Sequence, residues 1–368
     1  MMSTDQKLRV VIAPDSFKGS LDATSVAAAI ADGWASRRPD DDLILLPQAD
    51  GGEGTLDAVA ASHPDARWRA IENVHGPDGR PTTGRWLCLP DGTAAVELAQ
   101  VNGLPMMATL DPEGASTVGL GQVIAAALHD GAKALVIGLG GSASTDGGAG
   151  ALCALGARLL DRDGRELSPG GSALRNLATV DLTGLRRLPP GGVTLLTDTT
   201  AVLCGRNGAA HVFGPQKGAD ATTCARLDEA LARFSRHLTG CDPDLPGTGA
   251  AGGAAFGLTT WGATIAPGAH HIAELTGLAG ELATADIVVT GEGRFDTTSL
   301  KGKLVGSILQ RCARTGTRPI VVAGAFAATP PAGSVALADL AGSVRAARRH
   351  PARWARAAGA AAAALEAR

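Results

Sequence analysis

The stretch of residues 134–160, ALVIGLGGSASTDGGAGALCALGARLL, constrains the fold more than any other part of the chain. Residues 134–137 form an apolar run that predicts a buried strand. A loop dense in Gly and Ser follows, and from about Ala149 apolar residues recur at helical spacing, at Leu152, Leu155 and Leu159. This order predicts an anion-binding turn, because glycines let a ligand approach the backbone and the helix dipole adds partial positive charge. The same glycines would equally suit a tight turn that serves packing alone.

The first part of the chain repeats this arrangement twice. A strand over residues 8–13 leads into the loop PDSFKGS and then into a helix that we expect to be capped at Asp22 or Thr24. A second strand over residues 43–46 leads into PQADGGEGT and a helix from about Leu56. Two such units predict a parallel sheet, and in these sheets ligands bind beyond the carboxyl ends of the strands.

The middle of the chain has a different pattern. Residues 67–74, 84–89 and 93–98 read as strands separated by Pro-Asp-Gly turns, which indicates an antiparallel patch. Strand and helix alternation returns with strands over residues 286–290 and 318–323. We therefore expect one α/β domain from residues 1–75 and 285–368, interrupted by a second α/β domain of residues 76–284.

Composition excludes several classes of protein. The net charge of −3, the aromatic content of 3% and the absence of Tyr disfavour a nucleic-acid-binding surface. No apolar run is long enough to span a membrane, and the chain shows no apolar signal segment. The six cysteines form no CxxC pair, which suggests reduced thiols. We expect a cytoplasmic enzyme with small-molecule substrates and neither a nucleic-acid nor a membrane partner.

Acids and cations stand beside glycine at several predicted strand ends. Phosphoryl transfer requires backbone donors for phosphate oxygens, carboxylates for Mg²⁺, a cation for developing charge and an acceptor for the hydroxyl proton. Taken alone, each residue also has a structural reading, as a surface lysine, a helix cap or an ion-pair partner. The residues are Asp15, Ser16, Lys18, Asp50, Glu53, Ser142, Asp146, Asp198, Lys217, Glu292, Arg294 and Asp296, with Lys301 or Lys303.

A dinucleotide site is the alternative reading of the central loop. Gly138-x-Gly140-x-x-Ala143 follows a predicted strand, and Asp161 and Asp163 lie about 20 residues further on. This pattern would suit an NAD(P)-dependent oxidoreductase of a small hydroxy acid. A dehydrogenase would also need a His or Lys near a strand end, but the paired His270 and His271 stand at the start of a predicted helix, where a solvated helix end explains them better than catalysis.

Six segments together resemble the type-1 glycerate kinases: APDSFKGSL (13–21), ADGGEGT (49–55), AVELAQVNGL (95–104), GLGGSASTDGGAGAL (138–152), VFGPQKGA (212–219) and TGEGRFD (290–296). The resemblance implies ATP-dependent phosphorylation of D-glycerate to a phosphoglycerate. It also implies a flavodoxin- or Rossmann-like domain interrupted by a second α/β domain, with the active site in the cleft between them.

The chemistry of the residues suggests a role for each. We expect Lys18, Lys217 and backbone N–H groups to meet the charge of ATP, and Arg294 to grip the glycerate carboxylate. Asp296 or Asp198 would take the hydroxyl proton, and Asp296 is the favoured one. The residues expected to bind ATP are Ser16, Gly51, Gly52, Gly140, Gly141, Ser142 and Lys217, and those expected to hold Mg²⁺ are Asp50, Glu53 and Glu292.

Two matters stay open at this stage. Thr145, Ala201 and Thr298 stand where the family pattern has other residues, so an inactive metabolite-binding relative is a further alternative. The sequence does not distinguish a 2-phosphoglycerate from a 3-phosphoglycerate product, and a homodimer is one of the assemblies it allows.

Overall fold

The computed structural model describes residues 7–300 and 304–366. Three short 3₁₀ helices supplement the main elements, at Leu104–Met106, Gly171–Asn176 and Pro215–Lys217. The strands are β1 (Arg9–Pro14), β2 (Asp42–Leu45), β3 (Arg67–His75), β4 (Pro81–Cys88), β5 (Thr93–Glu97), β6 (Ala134–Gly138), β7 (Arg158–Leu160), β8 (Thr179–Asp181), β9 (Val193–Leu196), β10 (Thr264–Ala266), β11 (Ile287–Phe295), β12 (Arg318–Phe326) and β13 (Val335–Ala336). The helices are α1 (Ala23–Ala35), α2 (Thr55–Ser62), α3 (Ala99–Asn102), α4 (Val118–His129), α5 (Ala149–Ala154), α6 (Ala209–Phe213), α7 (Ala221–Arg236), α8 (Ala250–Trp261), α9 (Gly268–Leu275), α10 (Leu278–Leu282), α11 (Leu304–Thr315), α12 (Leu337–Ala341), α13 (Val344–Arg349) and α14 (Pro351–Leu365).

The chain folds into two compact units. The first comprises the residues up to 50, residues 57–64 and the residues from 269 onward; the second comprises residues 51–56 and 65–268. The bounds predicted from sequence, 75 and 285, lie further along the chain. The difference arises because β3 pairs with β4 in the sheet of the second unit, whereas residues of α9 and α10 pack in a core of the first.

The first unit is built on a parallel sheet with the strand order β13-β12-β11-β1-β2. Neighbouring strands all run parallel. Strand residues alternate between the two faces: Val10 and Ile12 pack with α1 and α14, while Val11 and Ala13 pack with α9, α10 and α11. Asp22 caps α1 as expected, its Oδ1 accepting from the N–H of Ser25 at 2.7 Å.

The second unit contains a mixed sheet with the order β10-β9-β6-β5-β4-β3. Its β5, β6, β9 and β10 run parallel, and β3 and β4 extend it as an antiparallel hairpin. Strands β7 and β8 form a small separate ribbon. The predicted α/β class is therefore confirmed, with a parallel-sheet unit interrupted in sequence by a second unit that carries an antiparallel patch.

Two predicted elements have different bounds in the structure. The helix expected from Ala149 to Leu159 ends at Ala154, because Gly156 has φ +110° and turns the chain into β7. The loop expected after residue 290 is part of β11, which continues to Phe295 because Arg294 and Phe295 stay paired with Ala325 and Phe326 of β12. The residues of TGEGRF thus lie on a strand, which gives them fixed positions.

Candidate active site

A cavity of about 690 Å³ lies in the first unit, at the carboxyl ends of β1, β11 and β12. Strands β1 and β2 are connected through α1 on one face of the sheet, and β11 and β12 are connected through α11 on the other face. The two connections therefore diverge between β1 and β11, which leaves a crevice of the kind in which α/β sheets bind ligands. The polar side chains of this cavity are Asp15, Ser16, Lys18, Ser20, Asp50, Glu292, Arg294, Asp296 and Arg348.

Three carboxylates are grouped around the end of β1. Asp15 is only 8% exposed, and its Oδ1 accepts from the N–H of Ser16 at 2.7 Å. Burial, followed by the negative charge of Asp50, raises the pKa of Asp15 to about 7, and Glu292 adds to the effect against the opposing charge of Lys18. A site where carboxylates repel one another in this way favours a bound cation.

Lys18 supplies the positive charge nearest to these acids. Its Nζ lies 2.8 Å from Oδ2 of Asp50, while the lysine side chain remains 70% exposed. Partial desolvation lowers the pKa of Lys18, but the carboxylates of Asp50 and Asp15 outweigh it and raise the pKa above its ordinary value. Lys18 is therefore a charged and accessible side chain on the wall of the cavity, as phosphate binding requires.

Arg294 and Asp296 lie at the end of β11 and line the same cavity. The Arg294 side chain is 73% exposed, and its Nε lies 3.9 Å from Oδ2 of Asp296. Oδ1 of Asp296 accepts from the N–H of Thr298 at 2.8 Å and from its hydroxyl at 2.6 Å, which orients the carboxylate. Lys301 and Lys303, the other cations considered from the sequence, lie outside the described residues.

The glycine-rich loop after β6 belongs to the second unit and packs against residues 51–54. Gly140 donates its N–H to the carbonyl of Gly51 at 3.0 Å, and a Cβ on Gly138 would stand 2.6 Å from the same oxygen. A Cβ on Gly140 would meet the Cα of Gly52. Close backbone packing thus accounts for Gly138 and Gly140, and Gly51 and Gly52 are buried beneath them, while Gly141 is exposed with φ +80°.

Beyond these glycines the loop is held by a buried network of polar groups. Ser142 is 7% exposed and Ser144 is fully buried, and their hydroxyls lie 3.3 Å apart. Nδ2 of Asn102 donates to Oγ of Ser144 at 3.0 Å and to the carbonyl of Ser116 at 3.1 Å. Within the described part of the chain, Oδ1 of Asn102 and Oγ1 of Thr145 are buried without a hydrogen-bond partner. Polar atoms left in this way mark a place where a ligand or water would be accommodated.

Asp146 fixes the start of α5. The residue is fully buried; its Oδ2 accepts from the N–H and hydroxyl of Thr117, both at 2.8 Å, and its Oδ1 accepts from the N–H of Gly148 at 3.1 Å. The bonds to Thr117 tie the loop to the start of α4. Asp146 therefore organises the loop from within.

Lys217 is turned toward the interior of the second unit. It is 2% exposed, and its Nζ donates to the carbonyl of Ser144. Burial lowers the pKa of Lys217 to about 7, although the charge of Asp146 acts in the opposite direction. Its ammonium group therefore contacts the main chain of the glycine-rich loop. Lys217 is not the surface lysine that the sequence allowed as an alternative.

Two further candidates of the second unit are exposed acids. Oδ1 of Asp198 accepts from the N–H of Gly268, the last residue of this unit, at 2.8 Å. Glu53 is exposed and stands two residues before α2 begins at Thr55. The sequence analysis missed Asn102 and also Glu97, whose carboxylate accepts from the N–H groups of Gly54 at 3.2 Å and Leu56 at 3.1 Å. Both lie in the segment AVELAQVNGL, and that resemblance was the only signal for them.

The donor set of the first-unit cavity suits Mg²⁺ better than a metal that needs a complete protein cage. Among the described residues no group of three or more His, Cys, Asp or Glu side chains is arranged to hold a metal ion. Mg²⁺ commonly takes only one or two carboxylates and fills its other positions with water and substrate phosphates. The negative charge of Asp50, which adds to the effect of burial in raising the pKa of Asp15, fits such an ion. In the same part of the chain, no helix combines the length and apolar character needed to cross a membrane.

Comparison with known proteins places these features in one family. The model of the glycerate kinase family matches residues 10–367. The glycerate 2-kinase of Escherichia coli K12 is 39% identical over 306 residues, which cover 81% of this chain and 80% of the relative. The glycerate kinase of Bacillus subtilis 168 is 41% identical over 306 residues, covering 80% and 79%. A crystal structure of a protein assigned as glycerate kinase 2 from Salmonella typhimurium LT2 matches with a TM-score of 0.83 and 36% identity over 98% of both chains.

Proposed function

The chain belongs to the glycerate kinase family, and we propose that it transfers the γ-phosphoryl group of ATP to a hydroxyl of D-glycerate. The resemblance inferred from six motifs is thereby confirmed at the level of the family. The observation that carries the proposal is the joint presence of Asp15, Lys18, Asp50, Glu292, Arg294 and Asp296 in one cavity. The oxidoreductase alternative has no comparable support, since its dinucleotide-like loop leads into an α5 of only 6 residues.

In this reaction the bond between the γ-phosphorus and its bridging oxygen breaks, and the glycerate oxygen forms the new bond to phosphorus. ADP leaves with the bridging oxygen, and the hydroxyl proton passes to a base. We assign this proton to Asp296 rather than to Asp198, because Asp296 lines the cavity and its carboxylate is held by Thr298. Arg294 is assigned to the carboxylate of glycerate, for which its planar guanidinium offers two parallel donors.

Lys18 and two carboxylates would bind the phosphates and the metal ion. The exposed ammonium of Lys18 would neutralise phosphate oxygens as charge shifts toward the leaving group. Asp50 and Glu292 are the carboxylates that would hold Mg²⁺, which supplies charge neutralisation to the phosphates when it is bound. The expected contacts of ATP with Ser16, Gly51, Gly52, Gly140, Gly141, Ser142 and Lys217, the metal role of Glu53 and a homodimeric assembly remain predictions.

The name of the Escherichia coli relative states a preference for the 2-position in that protein. We propose the same position here, with 2-phosphoglycerate as the product. The test is to incubate the protein with ATP, Mg²⁺ and D-glycerate and to identify the product by ³¹P and ¹H NMR. Stoichiometric ADP and 2-phosphoglycerate support the proposal. Formation of 3-phosphoglycerate would reject the position alone, and ATP binding without ADP release would indicate the inactive relative.

A further inference from the structure

The side chains that line the first-unit cavity include a polar group and an apolar group, which we call its polar and its apolar half. The polar half contains the acids and cations described above. The apolar half is formed by the end of β12 and by α12 and α13, through residues that include Phe326, Leu337, Val344 and Ala347. A volume of about 690 Å³ is within the range of roughly 300–1,000 Å³ that is usual for pockets of cofactor-sized ligands. A three-carbon acid would leave most of this space, and the whole apolar wall, without a contact.

Phe326 provides an aromatic surface in this half. It is the last residue of β12 and is only partly buried. Its ring meets the fully buried ring of Phe295 edge-on, with centroids 6.0 Å apart and an interplanar angle of 90°. The edge-to-face contact fixes the orientation of the ring, and an aromatic face held in this way is suited to stacking with a base.

Val344 and Arg348 lie on one short helix at the same wall. Val344 begins α13 and is 51% exposed. Arg348 lies one turn further on, is exposed, and makes no hydrogen bond or ion pair with any residue that the structure describes. A guanidinium can stack on a base and donate to its ring nitrogens.

From these positions we infer that the apolar half of the cavity is the nucleoside pocket of the enzyme, with the purine base of ATP against Phe326 and Val344 and within reach of Arg348. This inference rests on the proposed function. It places the base at the wall formed by α13 and directs the triphosphate toward Lys18. It also accounts for the exposed Val344 and Arg348 beside the polar half of the cavity.

The experiment measures binding by isothermal titration calorimetry with three probes: ATP, adenosine, which lacks phosphates, and inorganic tripolyphosphate, which lacks the base. The variants are Phe326→Leu, Val344→Ser and Arg348→Ala. Leu340→Ser and Arg349→Ala are matched controls, because Leu340 is 38% exposed on the neighbouring α12, Arg349 is adjacent to Arg348, and neither lines the cavity. Val344→Ser changes an exposed position and keeps the test valid if Phe326→Leu fails to fold.

We expect Phe326→Leu, Val344→Ser and Arg348→Ala each to weaken ATP and adenosine binding several-fold, and the first two in combination about tenfold, as loss of contacts to the base predicts. Tripolyphosphate binding and the KM for glycerate should stay within about twofold of the wild type, and both controls should match it. The inference is overturned if ATP binding is unchanged in these variants or if tripolyphosphate is weakened as much as ATP. If the wild type phosphorylates glycerate but the variants bind ATP as tightly as the wild type, only the assignment of this pocket is refuted. If the variants show the expected loss of ATP and adenosine binding but the wild type makes no phosphoglycerate, only the proposed function is refuted.

Discussion

Replacing Lys217 by Met tests how the buried lysine acts on the glycine-rich loop. In the folded protein its ammonium group is 2% exposed, and its pKa is lowered to about 7 from 10.5, chiefly by burial. Methionine has similar length and no charge, so the variant removes the titrating group while filling most of its volume. Because the carbonyl of Ser144 loses its donor, the variant has a fixed cost of about 1–3 kcal/mol at any pH.

The expected signal is the change of stability with pH. Between the folded pKa of about 7 and the unfolded pKa of 10.5, the unfolded chain binds one proton more than the folded protein. The free energy of unfolding therefore rises with pH in this window, with a limiting slope of about 1.4 kcal/mol per pH unit. From about pH 7 to about pH 9 the wild type should gain roughly 2 kcal/mol relative to Lys217→Met. Below about pH 7, the cost of burying the charged Lys217 side chain is fully present; it disappears as the pH approaches 10.5.

The measurement is urea unfolding at both pH values, followed by hydrogen exchange of peptides from residues 65–268, which belong to the second unit. The quantity compared is the difference in unfolding free energy between the wild type and Lys217→Met at the two pH values. The fixed cost of the lost hydrogen bond and the titration of all other groups cancel in this comparison. Lys133→Met is the matched control, because it makes the same replacement at an exposed lysine of the same unit. Parallel curves for the wild type and Lys217→Met would refute the reasoning.

Three other substitutions have defined outcomes. Asp296→Asn should lower kcat by a factor on the order of 100 while the affinity for ATP, measured by calorimetry, stays nearly constant. Full activity would exclude Asp296 as the base, and Asp198→Asn is the corresponding test of the other candidate. Arg294→Lys should raise the KM for D-glycerate about tenfold in an ADP-release assay, because a lysine cannot form the bidentate contact; an unchanged KM would place the carboxylate elsewhere. Gly252→Ala should lower the stability by more than about 2 kcal/mol, because Gly252 has φ +66° and its Cβ would clash with the carbonyl of Ser144. A thermal midpoint equal to that of the wild type would contradict this.

Sequence patterns predicted most of the parallel sheet in the first unit. Strands β1 and β2, the cap of α1 at Asp22 and the antiparallel strands β3 and β4 all follow from local periodicity and turn residues. These features are readable because burial on one or both faces of a strand imposes its period on neighbouring residues. Asp15, Lys18, Asp50, Glu292, Arg294 and Asp296 were also recognised, since they stand near the carboxyl ends of predicted strands, whereas Arg348 on α13 was missed.

Contacts between distant segments decided what the sequence did not reveal. Pairing with β12 extends β11 through Arg294, and packing against the loop of residues 142–146 turns Lys217 inward. Asn102 and Glu97 acquire their positions from partners 14 and 41 residues away or more. The periodicity of neighbouring residues does not reveal such partners. The position of a buried polar side chain depends on the groups that complete its hydrogen bonds, and these can be distant in the sequence.

The amino-acid sequence alone determined the class of fold, the order of its strand ends and the chemical groups available there, because these depend on residues that are neighbours in the chain. Only the tertiary structure decided which of those groups share a cavity and which are used internally. Lys18 and Lys217 show the difference: each is followed directly by a glycine, Gly19 or Gly218, yet Lys18 has a 70% exposed side chain and Lys217 is 2% exposed. The environment of a charge is set by the segments that fold over it, and these are far away in sequence.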